Sequence, residues 1–285
     1  MTRPTDGPGS RGPLLAFDTS GGLGSVAVQV DGLQVDGLQL TRRFLPERGR
    51  QAALLVPGIR EAMEEAGVRT RDLAGLVVGR GPGSFTGVRI AAATARGLAH
   101  ALRIPLWTFS SLAAGAASHG VEPRGWEGWA AQPGSPATGR PETTLELSEE
   151  ASGWPRFVLF DARGERLYGG CWRFAPEGGG VEEIFPPMAL TLDAFLDLDL
   201  PPRLLLCGDG AHRHAEILEA HDHRILPYPA GLPLAEGLLR LLDLHGDRRP
   251  EPAGSRWEPD YLRSSQPERE AAVDAPVDAP EDAVR

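Results

Sequence analysis

Two aspartates follow short apolar segments, at positions where a carboxylate can take part in catalysis. Asp18 comes directly after residues 14–17 and precedes Thr19 and Ser20. Asp161 comes after a similar segment later in the chain. An aspartate at a strand end can hold Mg²⁺ or act as a general base. An aspartate in a tight turn also commonly accepts hydrogen bonds from its own backbone. We favour the structural role for both, because no complete set of metal ligands accompanies them.

A glycine-rich segment, GRGPGSFTG at residues 79–87, precedes a predicted helix and has the outline of a phosphate-binding loop. A helix N-terminus favours anions because its first N–H groups are unpaired. The segment lacks the GxxxxGK[ST] pattern, and the chain contains no lysine to complete one. Gly81, Gly83 and Gly87 fit turn and close-packing positions, with Ser84 as the N-cap. The segment therefore favours a tightly packed or partner-binding helix over a phosphate site.

Four histidines within twelve residues form the densest group of side chains that could bind a metal ion. They are His212, His214, His221 and His223. On one helix, the side chains of 212 and 214 would point about 200° apart. A single site would then use at most two of the four, so we expect a solvated helix surface and no metal site.

Three serines are candidate nucleophiles: Ser84, Ser110 and Ser111. None lies in a GxSxG segment, and no histidine lies close in sequence with an acid to orient it. We therefore expect no catalytic residues.

The composition narrows the function further. The chain has 285 residues, with 29 basic residues that are all arginine, 39 acidic residues and a net charge of −10. The absence of lysine excludes a Walker-type phosphate lysine and a Schiff-base lysine. The excess of acidic over basic residues disfavours the binding of a polyanion across a broad surface of the protein. Cys171 and Cys207 are far apart and no apolar run approaches about 18 residues, so we expect a cytoplasmic protein with core thiols.

Short apolar segments separated by turns predict an α/β fold. We expect strands at 14–17, 25–30, 34–42 and 73–79, and helices at 51–66 and 86–103. In the first helix the apolar stripe occupies positions 54, 55, 59, 62, 63 and 66, and Pro57 suggests a kink or a later start.

The pattern restarts in the second half of the chain. The segment VLFD at 158–161 resembles LAFD at 15–18, and LLCG at 205–208 resembles LVVG at 76–79. We infer that one mixed-sheet unit is duplicated. The predicted organisation is a disordered extension at 1–13, a first domain at 14–118, a flexible insertion at 119–155, a second and smaller domain at 156–263, and a disordered acidic tail at 264–285.

Residues 79–90, GRGPGSFTGVRI, resemble the signature of the TsaB (YeaZ) family of bacterial tRNA threonylcarbamoyladenosine synthesis. The motif positions are Gly79, Arg80, Gly81, Pro82, Gly83, Ser84, Thr86 and Gly87. Further pieces of the family pattern are FDTS at 17–20, DAR at 161–163 with Tyr168, and EPDYLR at 258–263. The resemblance covers residues 14–118 and 156–263 and leaves out the segment between them and both termini.

The resemblance implies a duplicated RNase-H-like α/β fold, which actin, Hsp70 and sugar kinases share. In that superfamily the first hairpin turn holds nucleotide phosphates. In a TsaB-like chain, Asp18, Thr19 and Ser20 would be the vestige of that phosphate loop, with no cofactor bound. Metal-binding relatives begin an HxxxH motif near the position of Gln51, where this chain has no histidine.

The resemblance also implies a non-catalytic subunit that binds and activates TsaD in a heterodimer, and whether it pairs with itself as a homodimer when alone stays open. TsaD transfers the threonylcarbamoyl group to the adenosine beside the tRNA anticodon, and the ATPase TsaE joins through the complex. Contact with tRNA would occur only through the complex, and no membrane is involved. The helices at 51–66 and 86–103 would form the interface, with Leu55, Ile59, Met63, Phe85, Val88, Arg89, Ala92 and Ala95 as its predicted residues.

Two alternatives from other functional classes stay open at this point. One is a free-standing phosphotransferase or ATPase that uses Asp18, Thr19, Ser20 and the glycine loop at 208–211. The other is a glycoprotease-like peptidase, which would need a metal or a nucleophile. ATP turnover by the chain alone would favour the first, and cleavage sensitive to a serine reagent or dependent on a metal would favour the second.

Overall fold

The computed structural model describes residues 12–30, 40–45, 51–118, 151, 153–162, 164–175, 179–228, 230–252 and 257–262. The predicted extension at 1–13, insertion at 119–155 and tail at 264–285 lie almost entirely outside these ranges. No helix within the described ranges is long and apolar enough to cross a membrane.

The first half of the chain forms a five-stranded mixed sheet. Its strands are β1 Leu14–Asp18, β2 Gly24–Gln29, β3 Leu40–Leu45, β4 Gly75–Gly79 and β5 Leu106–Phe109. The strand order is β3-β2-β1-β4-β5, with antiparallel pairing among the first three strands and parallel pairing from β1 to β4 and β5. The central strands β1 and β4 are buried along their whole length, which explains why they are continuous apolar runs.

The second half repeats this topology. Its strands are β6 Arg156–Asp161, β7 Arg166–Phe174, β8 Val181–Thr191, β9 Leu205–Cys207 and β10 Arg224–Ile225. The order β10-β9-β6-β7-β8, with the same parallel and antiparallel pairs, equals that of the first sheet when the strands are counted from the start of each half. The predicted duplicated RNase-H-like α/β fold is confirmed.

The helices form layers on the faces of the two sheets. They are α1 Gln51–Glu65, α2 Phe85–Leu102, α3 Ser111–Ala117, α4 Leu192–Leu196, α5 Asp209–Arg213, α6 Ala215–Ala220 and α7 Ala235–Leu244. Helices α1 and α2 cover the outer face of the first sheet, and α4 to α6 cover that of the second. Helices α3 and α7 lie between the sheets and share one apolar core with both.

Two local predictions differ from the structure. Helix α1 begins at Gln51 and includes Pro57, so the proline does not delay its start. The described third strand extends to Leu45 because residues 43–45 pair with residues 24–26 of β2. Positions 34–39 of the predicted strand lie outside the described residues.

The chain returns to the first sheet after it has completed the second. The N–H of Ala235, at the start of α7, donates to Ser25 Oγ at 2.8 Å. Beyond α7, the N–H of Glu251 donates to the carbonyl of Leu106 at 2.7 Å, and Trp257 packs against the outer core of the first sheet. Within the described ranges β5 ends the first sheet, so this segment covers an edge that would otherwise present unpaired backbone groups. The expected second domain at 156–263 therefore includes a segment that packs with the first.

Candidate functional site

The glycine-rich segment of residues 79–87 connects β4 to α2, as the sequence predicts. Ser84 is the N-cap, and its Oγ accepts a hydrogen bond from the N–H of Gly87 at 3.3 Å. Its own N–H donates to the carbonyl of Ser20 at 2.7 Å. The N-terminus of α2 is thereby fixed against the turn that follows β1.

The two glycines on either side of Ser84 let this loop lie directly on residues 19 and 20. A Cβ atom on Gly87 would overlap the carbonyl oxygen of Thr19, and one on Gly83 would lie 2.5 Å from that of Ser20. Thr19 Oγ1 also donates to the carbonyl of Gly87 at 2.7 Å. Thr19 and Ser20 are buried as a result, and the vestigial phosphate loop that includes them stays a prediction.

Asp18 is a fully buried carboxylate at the centre of this packing. Its Oδ1 accepts hydrogen bonds from the N–H and the Oγ of Ser20, both at 2.6 Å, and its Oδ2 accepts one from Ser111 Oγ at 2.6 Å. Ser111 Oγ in turn accepts from the N–H of Gly81 at 3.0 Å. Burial raises the pKa of Asp18, and the hydrogen bonds from Ser111 and Ser20 oppose part of that rise. The network ties β1, the motif loop and the start of α3 together.

We expect Asp18→Ala to lower the free energy of unfolding by about 3 kcal/mol, because it leaves three buried donors without an acceptor. Asp18→Asn should cost roughly 1 kcal/mol, since its oxygen can still accept from Ser20 and its amide can donate to Ser111. Urea unfolding of the three proteins at neutral pH measures the difference. An Asn variant as unstable as the Ala variant would show that the negative charge itself is required.

The raised pKa of Asp18 also predicts that the free energy of unfolding depends on pH. The folded-state pKa of Asp18 is raised above its unfolded value of about 3.9, so the folded chain binds more protons in that window. Its contribution to stability therefore falls as the pH rises from about 4 to the raised pKa, and is constant above it. We expect this contribution to disappear from the stability profile of Asp18→Asn, and an unchanged profile would contradict the assignment.

Asp161 ends β6 as Asp18 ends β1, but it is half-buried and carries an ion pair. Its Oδ1 accepts from Arg213 at 2.7 Å, and its backbone N–H donates to Asp209 Oδ1 at 3.0 Å. These contacts connect the start of α5 to the end of β6. Asp161 therefore stabilises the packing of this helix on the sheet.

The four histidines do not share one solvated helix, and that prediction is wrong. Helix α5 ends at Arg213, and α6 begins at Ala215. His212 stacks on Tyr228 with ring centroids 4.1 Å apart, and its Nε2 lies 3.0 Å from the carbonyl of Leu226. Burial lowers the pKa of His212, which favours a neutral ring in that stack. Within the described ranges, no three His, Cys, Asp or Glu side chains come together as metal ligands.

Most of the predicted interface residues face inward. Leu55, Ile59, Met63, Val88, Ala92 and Ala95 are buried inside the chain itself. Their side chains pack mainly within the chain, and their part in a partner interface stays a prediction. The physical reason is that an apolar stripe at helical spacing marks the face that packs on the chain's own sheet. Phe85 and Arg89 are exposed and stay predicted interface residues.

The outward face of α1 and α2 carries small and apolar residues beside charged ones such as Arg60, Glu61 and Arg96. Val56 on α1 is 61% exposed and Phe85 on α2 is 40% exposed. The other exposed residues of this kind are Ala52, Ala53, Pro57, Ala93, Gly97 and Ala101, and with Val56 and Phe85 we call them the helix face. The predicted interface set contains Phe85 but none of the others, although Val56 and Pro57 stand out as apolar residues beside the predicted stripe.

An aromatic cluster borders the helix face at the start of α2. The rings of Phe85 and Tyr261 lie 5.6 Å apart, and the Arg89 guanidinium lies 3.7 Å from the centre of the Phe85 ring. Arg89 Nε donates to the Tyr261 hydroxyl at 3.0 Å. The neighbouring Asp260 accepts two hydrogen bonds from Arg80, at 2.7 and 2.8 Å. The EPDYLR segment is thus bound to the motif loop, 180 residues earlier in the sequence.

Known sequences resemble this chain over a part or over most of its length. A family model described as "TsaD: tRNA N6-adenosine threonylcarbamoyltransferase" matches residues 46–127. The tRNA threonylcarbamoyladenosine biosynthesis protein TsaB of Haemophilus influenzae is 38% identical over 101 residues, which are 35% of this chain and 40% of that protein. The TsaB protein of Bacillus subtilis is 25% identical over 271 residues, which are 90% of this chain and 96% of that protein. The alignment with the Haemophilus protein thus spans less than half of its length.

Solved structures extend the likeness over both halves. A crystal structure from Pseudomonas aeruginosa, described as an uncharacterized protein with similarity to peptidase YEAZ, has a TM-score of 0.63 and 25% identity. It covers 88% of this chain and 100% of its own. The motif loop, the duplicated fold and these relatives together support the predicted resemblance to the TsaB (YeaZ) family.

Proposed function

We propose that this chain takes part in tRNA threonylcarbamoyladenosine biosynthesis as a non-catalytic subunit that binds TsaD and holds it in an active conformation. TsaD would transfer the threonylcarbamoyl group to the adenosine beside the tRNA anticodon. The chain would contact TsaE and tRNA only through that complex, in the cytoplasm. A second copy of the chain would bind the TsaD-binding surface when TsaD is absent.

The covered phosphate turn is the observation that carries the non-catalytic role. The motif loop lies against Thr19 and Ser20 and buries both residues, which leaves their side chains unavailable to a nucleotide phosphate. Asp18 is buried and uses both carboxylate oxygens within the chain. Ser111, a candidate nucleophile, is also buried and donates to Asp18. These groups stabilise the fold and are not presented to a substrate.

The helix face supports the partner-binding role. An exposed apolar patch of this kind is typical of an interaction site. Small residues such as Ala93 and Gly97 allow a partner's helix to approach α2 closely. The TsaD family model matches the segment that holds both helices, which indicates that TsaD contains a similar unit. Two proteins with similar units can pair through equivalent faces, as two copies do in a symmetric dimer.

We expect Val56→Asp to weaken binding to TsaD about 30-fold, because a carboxylate would be desolvated at the centre of the face. Binding is measured by titrating TsaD of the same organism, and function by threonylcarbamoyl transfer to tRNA. Substitutions at Val88 or Ala92 would not serve this purpose, since both residues are buried and their replacement would test folding.

The matched control is Ile217→Asp, which places the same charge on a 45% exposed apolar residue of the second half. We expect the control to bind and activate TsaD like the unaltered chain. If both variants bind TsaD equally well, the interface does not include the exposed side of α1. ATP turnover by the purified chain, abolished in the better-folded Asp18→Asn, would contradict the non-catalytic role and restore the ATPase alternative.

A further inference from the structure

An arginine lies between two exposed aromatic rings where α2 begins. Phe85 and Arg89 are one turn apart on the helix, and Tyr261 reaches them from the other end of the described chain. Phe85 and Tyr261 are each 40% exposed, and Arg89 is exposed as well. We call these three residues the arginine–aromatic cluster.

Contacts within the chain hold the cluster in one arrangement. The Arg89 guanidinium lies 3.7 Å from the centre of the Phe85 ring, and its Nε donates to the Tyr261 hydroxyl at 3.0 Å. The backbone next to Tyr261 is fixed by Arg80, which donates two hydrogen bonds to the Asp260 carboxylate and accepts one from the N–H of Asp260 at 2.7 Å. Side chains that are already ordered lose little conformational entropy on binding, and arginine and tyrosine are common among the residues that dominate interface energies.

The guanidinium of Arg89 has donors that the chain does not use. Its Nε is bonded to Tyr261, whereas no acceptor among the described residues is bonded to either of its Nη groups. Two parallel N–H groups of a planar guanidinium match the two oxygens of a carboxylate. The cluster therefore combines a group that can bind a carboxylate with an apolar surface formed by two rings.

A carboxylate on a protein fits this cluster better than the phosphates of a nucleic acid. The chain has a net charge of −10, and the exposed Glu258 lies in the same segment as Tyr261. A polyanion would bring further negative charges towards these acids, whereas a single acidic side chain would not. Phe85 also belongs to the helix face, so the cluster is continuous with the surface that we assign to TsaD.

We propose that the arginine–aromatic cluster binds an aspartate or glutamate side chain of TsaD. The carboxylate accepts hydrogen bonds from the Nη groups of Arg89, and the methylene groups contact the rings of Phe85 and Tyr261. This inference rests on the proposed function, because TsaD is the partner that supplies the carboxylate. It adds a residue from the last described segment to a surface that otherwise consists of α1 and α2.

Substitutions of Arg89 test the chemistry of the ligand. TsaD of the same organism is titrated with the unaltered full-length chain and with each variant. We expect the affinity to fall about threefold for Arg89→Lys, which keeps the charge without the paired donors, and about tenfold for Arg89→Gln. Arg89→Glu should lower it about 50-fold, because two carboxylates would face each other. Arg224→Gln removes the same charge from an exposed position on β10 and should bind like the unaltered chain.

Substitutions of Tyr261 test the contribution of the last described segment. Tyr261→Phe keeps the ring and loses the hydroxyl that accepts from Arg89, and we expect about threefold weaker binding of TsaD. Tyr261→Ala loses the ring as well and should weaken binding about tenfold. Circular dichroism and urea unfolding verify that each variant is folded.

Equal affinity of TsaD for the unaltered chain, Arg89→Gln and Tyr261→Ala would overturn this inference. If Val56→Asp weakens binding in the same experiment, the proposed function stands without it. Tighter binding by Arg89→Glu than by Arg89→Gln would also overturn it, because the ligand would then not be a carboxylate. Binding of tRNA by the chain alone, lost in Arg89→Gln, would assign the cluster to a phosphate instead. If TsaD does not bind the unaltered chain, this inference and the proposed function are both wrong.

Discussion

Gly87→Ala is expected to lower the free energy of unfolding by about 3 kcal/mol or more. The added Cβ would overlap the carbonyl oxygen of Thr19, which is backbone and cannot move aside as a flexible side chain would. The start of α2 would have to shift away from the turn after β1. That shift would also break the hydrogen bond from Thr19 Oγ1 to the carbonyl of Gly87. Urea unfolding monitored by tryptophan fluorescence measures the loss.

Gly97→Ala on the same helix is the matched control. A Cβ there meets no atom within 4 Å, so only helix propensity changes. We expect the variant to be more stable than the unaltered chain by roughly 0.8–1 kcal/mol. Similar effects of the two substitutions, or a loss below about 1 kcal/mol for Gly87→Ala, would show that the loop is not held against Thr19.

Gly237→Ala should have an effect of similar size at the contact between the two halves. In α7, a Cβ at this position would overlap the carbonyl oxygen of Ala114 and lie 2.5 Å from Ser118 Oγ. Both groups belong to α3 or its C-cap, and α3 and α7 together fill the space between the sheets. We expect a loss of about 3 kcal/mol, because the two helices can accommodate the methyl group only by moving apart. Separation of the halves should also broaden the thermal transition.

The control for this variant is Gly246→Ala, just beyond the same helix. Its nearest neighbour would be the carbonyl oxygen of Asp243 at 3.7 Å, an ordinary contact distance. The free energy of unfolding should change by less than about 0.5 kcal/mol. A single sharp transition of unaltered width in Gly237→Ala would argue against a tight α3–α7 contact as the link between the halves.

Much of the architecture follows from local patterns in the sequence. Continuous apolar runs bounded by glycine mark the buried strands β1 and β4, and a serine before a long small-residue helix marks its N-cap. The sequence similarity between the two halves predicts that they share one strand order. These features are predictable because each is decided by neighbouring residues and by whether a side chain meets water.

The outward side of α1 and α2 is less predictable for a physical reason. Periodicity distinguishes a buried face from a solvated one, but burial within the chain and burial against a partner select the same residue types. Leu55 and Val88 fit the stripe and turn out to be core, while Val56 and Gly97 lie on the open side. Contacts over long sequence separations are equally hidden, such as those of Asp260 with Arg80 and of Tyr228 with His212.

The return of the last described segment to the edge of β5 affects how the chain folds as it is synthesised. A ribosome releases β1 to α3 first, and then the entire second sheet, before it releases α7 and Glu251. Until then the strand edge at Leu106 and the inner surface of the first sheet are uncovered, and a nascent chain in that state is prone to wrong pairing. The described packing of the first half is therefore complete only after Tyr261 has emerged, and a chaperone that shields strand edges would assist this interval of synthesis.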